Sequence, residues 1–170
     1  MPRFFSRTVS AVLIAVFCLA LGSCGKKREK PLLVGDMAPE FQVTDLSGRV
    51  VSNPPPVAGP MIIRFFDPYC RFCKADTAVF NEYYEKHKDQ GLQVVYIDTD
   101  PDVAKIQEFI KELAIEFPVY VDADKKLANL FRIKVIPQTL VIDPGQKIIA
   151  GLLGGVAKAE LDDLLAEHLH

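Results

Sequence analysis

Apolar and polar positions along this chain switch between two periods, and each switch marks an element. Met61 to Phe66 is a nearly continuous apolar run broken only by Arg64, which predicts a strand buried on both faces. It leads through Asp67-Pro68-Tyr69 into Cys70-Arg71-Phe72-Cys73. Beyond Cys73, the positions Val79, Phe80, Tyr83, Tyr84 and His87 recur at three- and four-residue spacing up to Gly91. That period predicts a helix opened by the two cysteines. Leu92 to Ile97 predicts another strand, and Asp100-Pro101 supplies a cap and first-turn pair for a helix with Ile106, Phe109, Ile110 and Leu113 on its core face. Phe117 to Asp122 reads as a short strand and Lys125 to Phe131 as a further helix or turn. Gln138 to Ile142 and Lys147 to Leu152 flank Asp143-Pro144-Gly145-Gln146, a hairpin pattern. Leu161, Leu164, Leu165 and Leu169 give a closing helix over 158–169 one apolar face.

The N-terminal part reads differently. Arg3 and Arg7 precede an uncharged, mostly apolar run from Val9 to Leu21, too short for a spanning helix of about 20 residues and right for an export signal. The run ends in Leu21-Gly22-Ser23-Cys24, similar to the bacterial lipoprotein signal, which implies cleavage before Cys24 and a lipid on its thiol; ordinary cleavage after Gly22 is the alternative. Gly25 to Pro31 is a polar, basic stretch without apolar periodicity, either lying against anionic head groups or simply solvated. Gln42 to Leu46 and Arg49 to Ser52 around Ser47-Gly48 predict a hairpin, and the four prolines between Asn53 and Pro60 predict a loop. The organisation is thus a signal over 1–23, a lipidated basic tether over 24–32 and one domain over 33–170. Strands alternating with helices and then an antiparallel pair predict an α/β domain, a central mixed sheet with helices on both sides.

Charge and cysteine usage narrow the function. With 20 basic and 22 acidic residues in 170, and no basic patch interleaved with aromatics, nothing points to nucleic acid. Removing residues 1–23 takes Arg3 and Arg7 and leaves 18 basic against 22 acidic residues. Of the four cysteines, Cys18 and Cys24 lie in or just after the leader, so Cys70 and Cys73 alone belong to the folded part. They are too close in sequence to close a long, stabilising loop. A zinc site would need a second pair, and His87, His168 and His170 are not at ligand spacing with the first.

A Cys-x-x-Cys opening a helix has its own chemistry. The unpaired N–H groups and the positive dipole end of the first turn face an anion placed there, so a thiolate at Cys70 is favoured. The expectation is a disulfide exchanger in which sulfur carries the electrons, with no metal or organic cofactor.

Gly35-x-x-Ala38-Pro39-x-Phe41, the Asp45-Leu46-Ser47-Gly48 turn, the strand before Cys70-x-x-Cys73, Phe117-Pro118 with Asp122, and Ile136-Pro137 before a strand occur in one order over residues 33–168. Together they resemble the membrane-tethered thioredoxin-like proteins of the TlpA/ResA group. The resemblance implies a thioredoxin fold with an added N-terminal hairpin, Cys70 as attacking thiol, Cys73 as resolving thiol, and Pro137 as a cis-proline packed against the dithiol and offering its neighbouring backbone to a substrate chain. Asp76 stands where the group often carries an acid. Its carboxylate would take the proton of Cys73, three residues away on one helix face, or would only complement the dipole of a first turn. The same resemblance implies an extracytoplasmic, membrane-anchored reductase, a membrane thiol protein as electron donor, and exported proteins such as apocytochromes c as substrates.

Several residues depart from the group. Phe66 and Tyr69 stand where Trp is common and Phe72 where Pro is common, and Asp67-Pro68-x-Cys70 is similar to the active-site approach of periplasmic disulfide isomerases and oxidases. Arg64 occupies the strand position where thioredoxin holds a buried acid. Facing the dithiol it would stabilise thiolate and make the disulfide a stronger oxidant; on the other side of the strand it would pair with a carboxylate or snorkel to water. Arg71, between the cysteines, pushes in the oxidising direction, while Ile136 before Pro137 looks like the reducing members. Two further readings remain: a copper-delivery or assembly factor of related fold, which typically has Cys-x-x-x-Cys and a distant His, and a peroxide-reducing relative, which needs Thr or Ser where Asp67 stands.

Overall fold

The strand Met61–Phe66 (β3) lies near the middle of a seven-stranded sheet and is buried along its whole length. The structure, a computed structural model, describes residues 32, 34–52 and 59–169. The expected signal, the tether apart from Leu32, and residues 53–58 of the proline-rich loop lie outside the described residues.

The remaining strands are Gln42–Thr44 (β1), Val50–Ser52 (β2), Gln93–Asp98 (β4), Val119–Val121 (β5), Gln138–Ile142 (β6) and Ile148–Leu153 (β7). The helices are Arg71–His87 (α1), Val103–Glu112 (α2), Lys126–Leu130 (α3) and Lys158–Leu165 (α4). The sheet order is β2-β1-β5-β4-β3-β6-β7. β3 pairs in parallel with β4, and β4 with β5, while β6 runs antiparallel to both β3 and β7. β1 and β2 form the N-terminal hairpin, which joins the sheet antiparallel to β5. This is the α/β thioredoxin fold with an added hairpin.

Side chains of a strand alternate between faces, and here the alternation sorts the core into two layers. Ile62 and Phe66 of β3 face α1, α2 and α4, packing with Phe80, Phe109 and Leu161. The Phe66 ring centroid lies 5.1 Å from that of Tyr96 and 5.0 Å from that of Phe109. Met61, Ile63 and Phe65 face the opposite layer, with Leu127 and Ala128 of α3 and with Phe41 and Phe131. Arg64 shares the parity of Ile62 and Phe66, so it faces the layer of α1.

Two local expectations change. The cap of α2 is Asp102, not Asp100: the Asp102 carboxylate accepts the Lys105 N–H at 3.2 Å, and the Asp100 carboxylate accepts the Asp102 N–H at 2.8 Å. With aspartates on both sides of Pro101, the more distal one caps and the nearer one shapes the turn into it. The closing helix ends at Leu165, and Leu169 continues as a turn whose N–H still reaches the Leu165 carbonyl.

At the far end of α1, Gly91 with φ +89° stops the chain after a short 3-10 turn. Gly59 packs against it: a Cβ on Gly59 would lie 2.5 Å from the carbonyl carbon of Gly91.

Candidate active site

β3 delivers the chain to the dithiol through a tight turn. Asp67 Oδ1 accepts the Tyr69 N–H at 2.7 Å, and the Cys70 N–H donates to the Asp67 carbonyl at 3.0 Å. Asp at the first turn position and Pro68 at the second suit such a turn, because the carboxylate satisfies a nearby N–H and proline presets φ. Cys70 then becomes the N-cap of α1 with extended backbone, and its sulfur accepts the Cys73 N–H at 3.4 Å. A thiol thus takes the place usually held by a serine or aspartate oxygen.

The two thiols are free and unequal. Cys70 is half-buried and Cys73 fully buried. Burial first, and the hydrogen bond with Cys70 second, push the Cys73 thiol up to about 12, against the pull of the Asp67 backbone and the Arg64 charge. Thr77 Oγ1 donates back to the Cys73 carbonyl at 2.6 Å and lies 3.4 Å from the Tyr96 hydroxyl, tying the second turn of α1 to β4.

Behind the dithiol sits a buried ion pair. Arg64, with no exposed surface, donates from Nη2 to Asp76 Oδ2 at 2.6 Å and from Nη1 to Thr139 Oγ1 at 2.6 Å, with its guanidinium 4.8 Å from the Phe80 ring centre. The two sequence readings of Arg64 therefore combine: it faces the dithiol helix, and it is paired with a carboxylate. Asp76 is not a first-turn residue, because α1 begins at Arg71 and has no acid in its first turn. Its Oδ2 also accepts the Val156 N–H at 2.8 Å, while Oδ1 is buried without a partner. Burial pushes the Asp76 carboxyl up, and the Arg64 charge and the Val156 N–H oppose that.

The antiparallel pairing of β3 with β6 ends at Phe65 and Gln138, so the chain enters β6 through Ile136 and Pro137 at the end of β3 that leads to the dithiol. The Ile136–Pro137 bond is cis, Pro137 is buried, and its carbonyl accepts the Gly154 N–H at 2.9 Å. Ile136, Cys70 and Cys73 all pack in the layer of α1.

With this geometry in view, comparison with known proteins is specific. The model of the AhpC/TSA family matches residues 34–150, which span the hairpin, the dithiol and the Ile136–Pro137 loop. The chain belongs to the AhpC/TSA family. Within that family it is similar to the thiol-disulfide oxidoreductase ResA of Bacillus cereus (strain ZK / E33L), 25% identical over 91% of this chain and 91% of the relative. ResA of Bacillus subtilis (strain 168) is 22% identical over 96% of this chain and 92% of its own length. Among solved structures, a candidate thiol:disulfide interchange protein DsbE from Chlorobium tepidum superposes with a TM-score of 0.73 at 25% identity, over 80% of this chain and 97% of that one. This AhpC/TSA family member is an enzyme, a thiol-disulfide oxidoreductase of the ResA/DsbE type.

Two residues of the site were not singled out from sequence. Thr139, opposite Arg64 in the β3–β6 ladder, is the guanidinium's second partner. Asp98 ends β4 beside Phe66 and is fully buried, with Oδ1 accepting the Asp100 N–H at 2.8 Å and Oδ2 unpartnered. Its signal in the sequence is an acid closing an otherwise apolar run, Val94-Val95-Tyr96-Ile97-Asp98.

Proposed function

We propose that this chain reduces disulfides of exported proteins outside the cytoplasm, using Cys70 and Cys73 as its dithiol. The observation that carries this reading is the inequality of the two sulfurs: an accessible one at the N-cap of α1, and a buried, proton-holding one a turn behind it. Cys70 thiolate attacks one sulfur of a substrate disulfide, forming a mixed disulfide and releasing the other substrate sulfur as a thiolate. Cys73 then gives up its proton and displaces the bound substrate thiolate, leaving Cys70 and Cys73 joined; two electrons have passed from the dithiol to the substrate. Sulfur carries both, so the cycle calls for no metal or organic cofactor.

Asp76, three residues after Cys73 on the same helix and with Oδ1 unpartnered, is the acceptor for the Cys73 proton. Arg64 orients it. The Val135–Pro137 segment, which leads into β6 at the end of β3 that carries the dithiol, is the rest for the substrate chain. In an oxidising compartment a membrane thiol protein must re-reduce the disulfide. The leader over 1–23 and Cys24 support an extracytoplasmic, lipid-anchored location. Apocytochromes c are the substrates suggested by the TlpA/ResA resemblance, an analogy of family.

The oxidase reading draws on the Asp67-Pro68 approach to Cys70, on Arg71, and on Arg64 acting as a cation behind the thiols. Its pairing with Asp76 offsets that charge locally, which favours the reductase. The peroxide reading needs a hydroxyl where Asp67 stands, and that carboxylate is engaged by the Tyr69 N–H. Insulin reduction by the purified protein tests the proposal: Cys70→Ser should abolish it, and unchanged turnover would reject Cys70 as the nucleophile. Metabolic palmitate labelling that disappears in Cys24→Ala tests the anchor, and an unlabelled wild-type protein would remove it.

A further inference from the structure

The surface around Cys70 is apolar and cationic in a chain that is acidic overall. Among the described residues, eight large hydrophobic side chains are exposed, and four of them, Tyr69, Phe72, Val135 and Leu153, belong to the segments that meet at the dithiol end of the sheet. Tyr69 and Phe72 flank Cys70 directly, at 64% and 49% exposure. Leu153 pairs with Gln138 next to Pro137, and Val135 precedes Ile136 in the same loop. Four exposed apolar side chains at the end of the sheet that carries the reactive sulfur mark a contact surface rather than scattered surface hydrophobes.

Charge says what kind of chain the surface fits. The neighbouring lysines are already matched, Lys74 with Glu112 at 2.7 Å and Lys105 with Glu108 at 2.8 Å. Arg71 and Lys134, both exposed, have no carboxylate partner among the described residues. Arg71 is the first residue of α1, between the cysteines, and its guanidinium lies over the Phe72 ring at 4.7 Å from the centroid. That stacking holds the charge beside Cys70. Lys134 sits two residues before Ile136 in the loop that enters β6 at the dithiol end of the sheet. Asp67 is the one acid in the turn before Cys70, half-buried and aimed back at the Tyr69 N–H, and it leaves the pair of cations in excess by one.

We infer that the dithiol selects extended polypeptide segments in which the disulfide cysteine is flanked by carboxylates and apolar side chains, with Arg71 and Lys134 reading the acids and Tyr69 and Phe72 the apolar groups. This rests on the exchange reading above and names its substrate class. Arg71 and Lys134 are specificity-determining residues that act on encounter and on binding.

The test uses the reduced full chain and a set of peptide disulfides of matched length, differing only in whether Glu, Gln or Lys flanks the cysteine, with neutral hydroxyethyl disulfide as a reference. The Glu-flanked peptide should be reduced with a kcat/KM about tenfold above the Gln-flanked one, and the Lys-flanked one should fall below both, the low end of what a surface of one sign achieves in steering a substrate of the other. The spread should collapse at about 1 M salt, where charges are screened beyond about 3 Å. Replacing both cations (Arg71→Gln with Lys134→Gln) should remove the preference, and Phe72→Ser should raise KM for every peptide. Equal kcat/KM across the three peptides, with hydroxyethyl disulfide still reduced, overturns this proposal alone. No reduction of any disulfide overturns the exchange reading and takes this one with it. A stable dimer of the full chain that Phe72→Ser dissolves would assign the apolar surface to a second copy and also overturn it.

Discussion

Arg64 Nη2 donates to Asp76 Oδ2 at 2.6 Å, so the strand that leads into the dithiol is bonded by a buried charge pair to the helix that carries it. Removing one partner of such a pair costs about 3–5 kcal/mol, because the other charge is left buried and alone. The guanidinium is permanently charged, and an ionised Asp76 is what keeps it from being an uncompensated cation under Cys73.

Opposite redox shifts follow from the two halves of that pair. Arg64→Gln removes the cation that favours thiolate and should make the disulfide less oxidising. Asp76→Asn leaves the cation unmatched and should make it more oxidising. Equilibration with glutathione measures both, and shifts of the same sign would remove the electrostatic account. Thermal unfolding should show both variants destabilised.

Alkylation separates the two thiols. Thiolate is the reacting form, and Cys73 is pushed up to about 12, chiefly by burial. Cys73→Ser keeps the half-buried, accessible Cys70 and should still react with iodoacetamide near neutral pH. Cys70→Ser should react slowly, with a rate that keeps climbing above about pH 10. Equal alkylation of the two variants at neutral pH, read by mass spectrometry, would contradict the assignment.

Asp98 sets a pH dependence of stability. Its carboxyl is pushed from 3.8 up to about 7, first by burial, with the Asp100 N–H opposing and the Asp67 and Asp100 charges adding. The folded chain holds a proton there that the unfolded chain has already released, so this group's contribution falls as pH rises from about 4 to about 7. Asp98→Asn should be more stable than the wild type at about pH 8, by about 1–4 kcal/mol, the cost of ionising a carboxyl that folding moves from 3.8 to about 7. The two should converge near pH 4. Denaturant midpoints across that range check it, and a difference that does not change with pH would exclude Asp98 as its source.

Gly59→Ala probes a contact remote from the dithiol. The new Cβ would press on the Gly91 backbone, which cannot rotate away as a side chain can. A loss of about 1–3 kcal/mol is expected, with the glutathione equilibrium unchanged. A neutral result would mean that Gly59 and Gly91 move apart without cost.

The sequence alone determined the order of strands and helices, the hairpins, the placement of Cys70 and Cys73 at a helix start, and the family resemblance. These follow from signals local along the chain: periodicity, turn residues and motif spacing. It left Arg64 open because alternation tells which residues share a face but not which helix covers it; packing put α1 there, with Asp76 and Thr139 arriving from 12 and 75 residues away. Two aspartates flank Pro101, and only the backbone geometry chooses Asp102 over Asp100 as the cap. One acid closing a strand, as Asp98 does, carries no sign of its burial. Tertiary structure decided these because desolvation, pairing and the unequal exposure of the two sulfurs depend on neighbours that folding supplies from elsewhere in the chain.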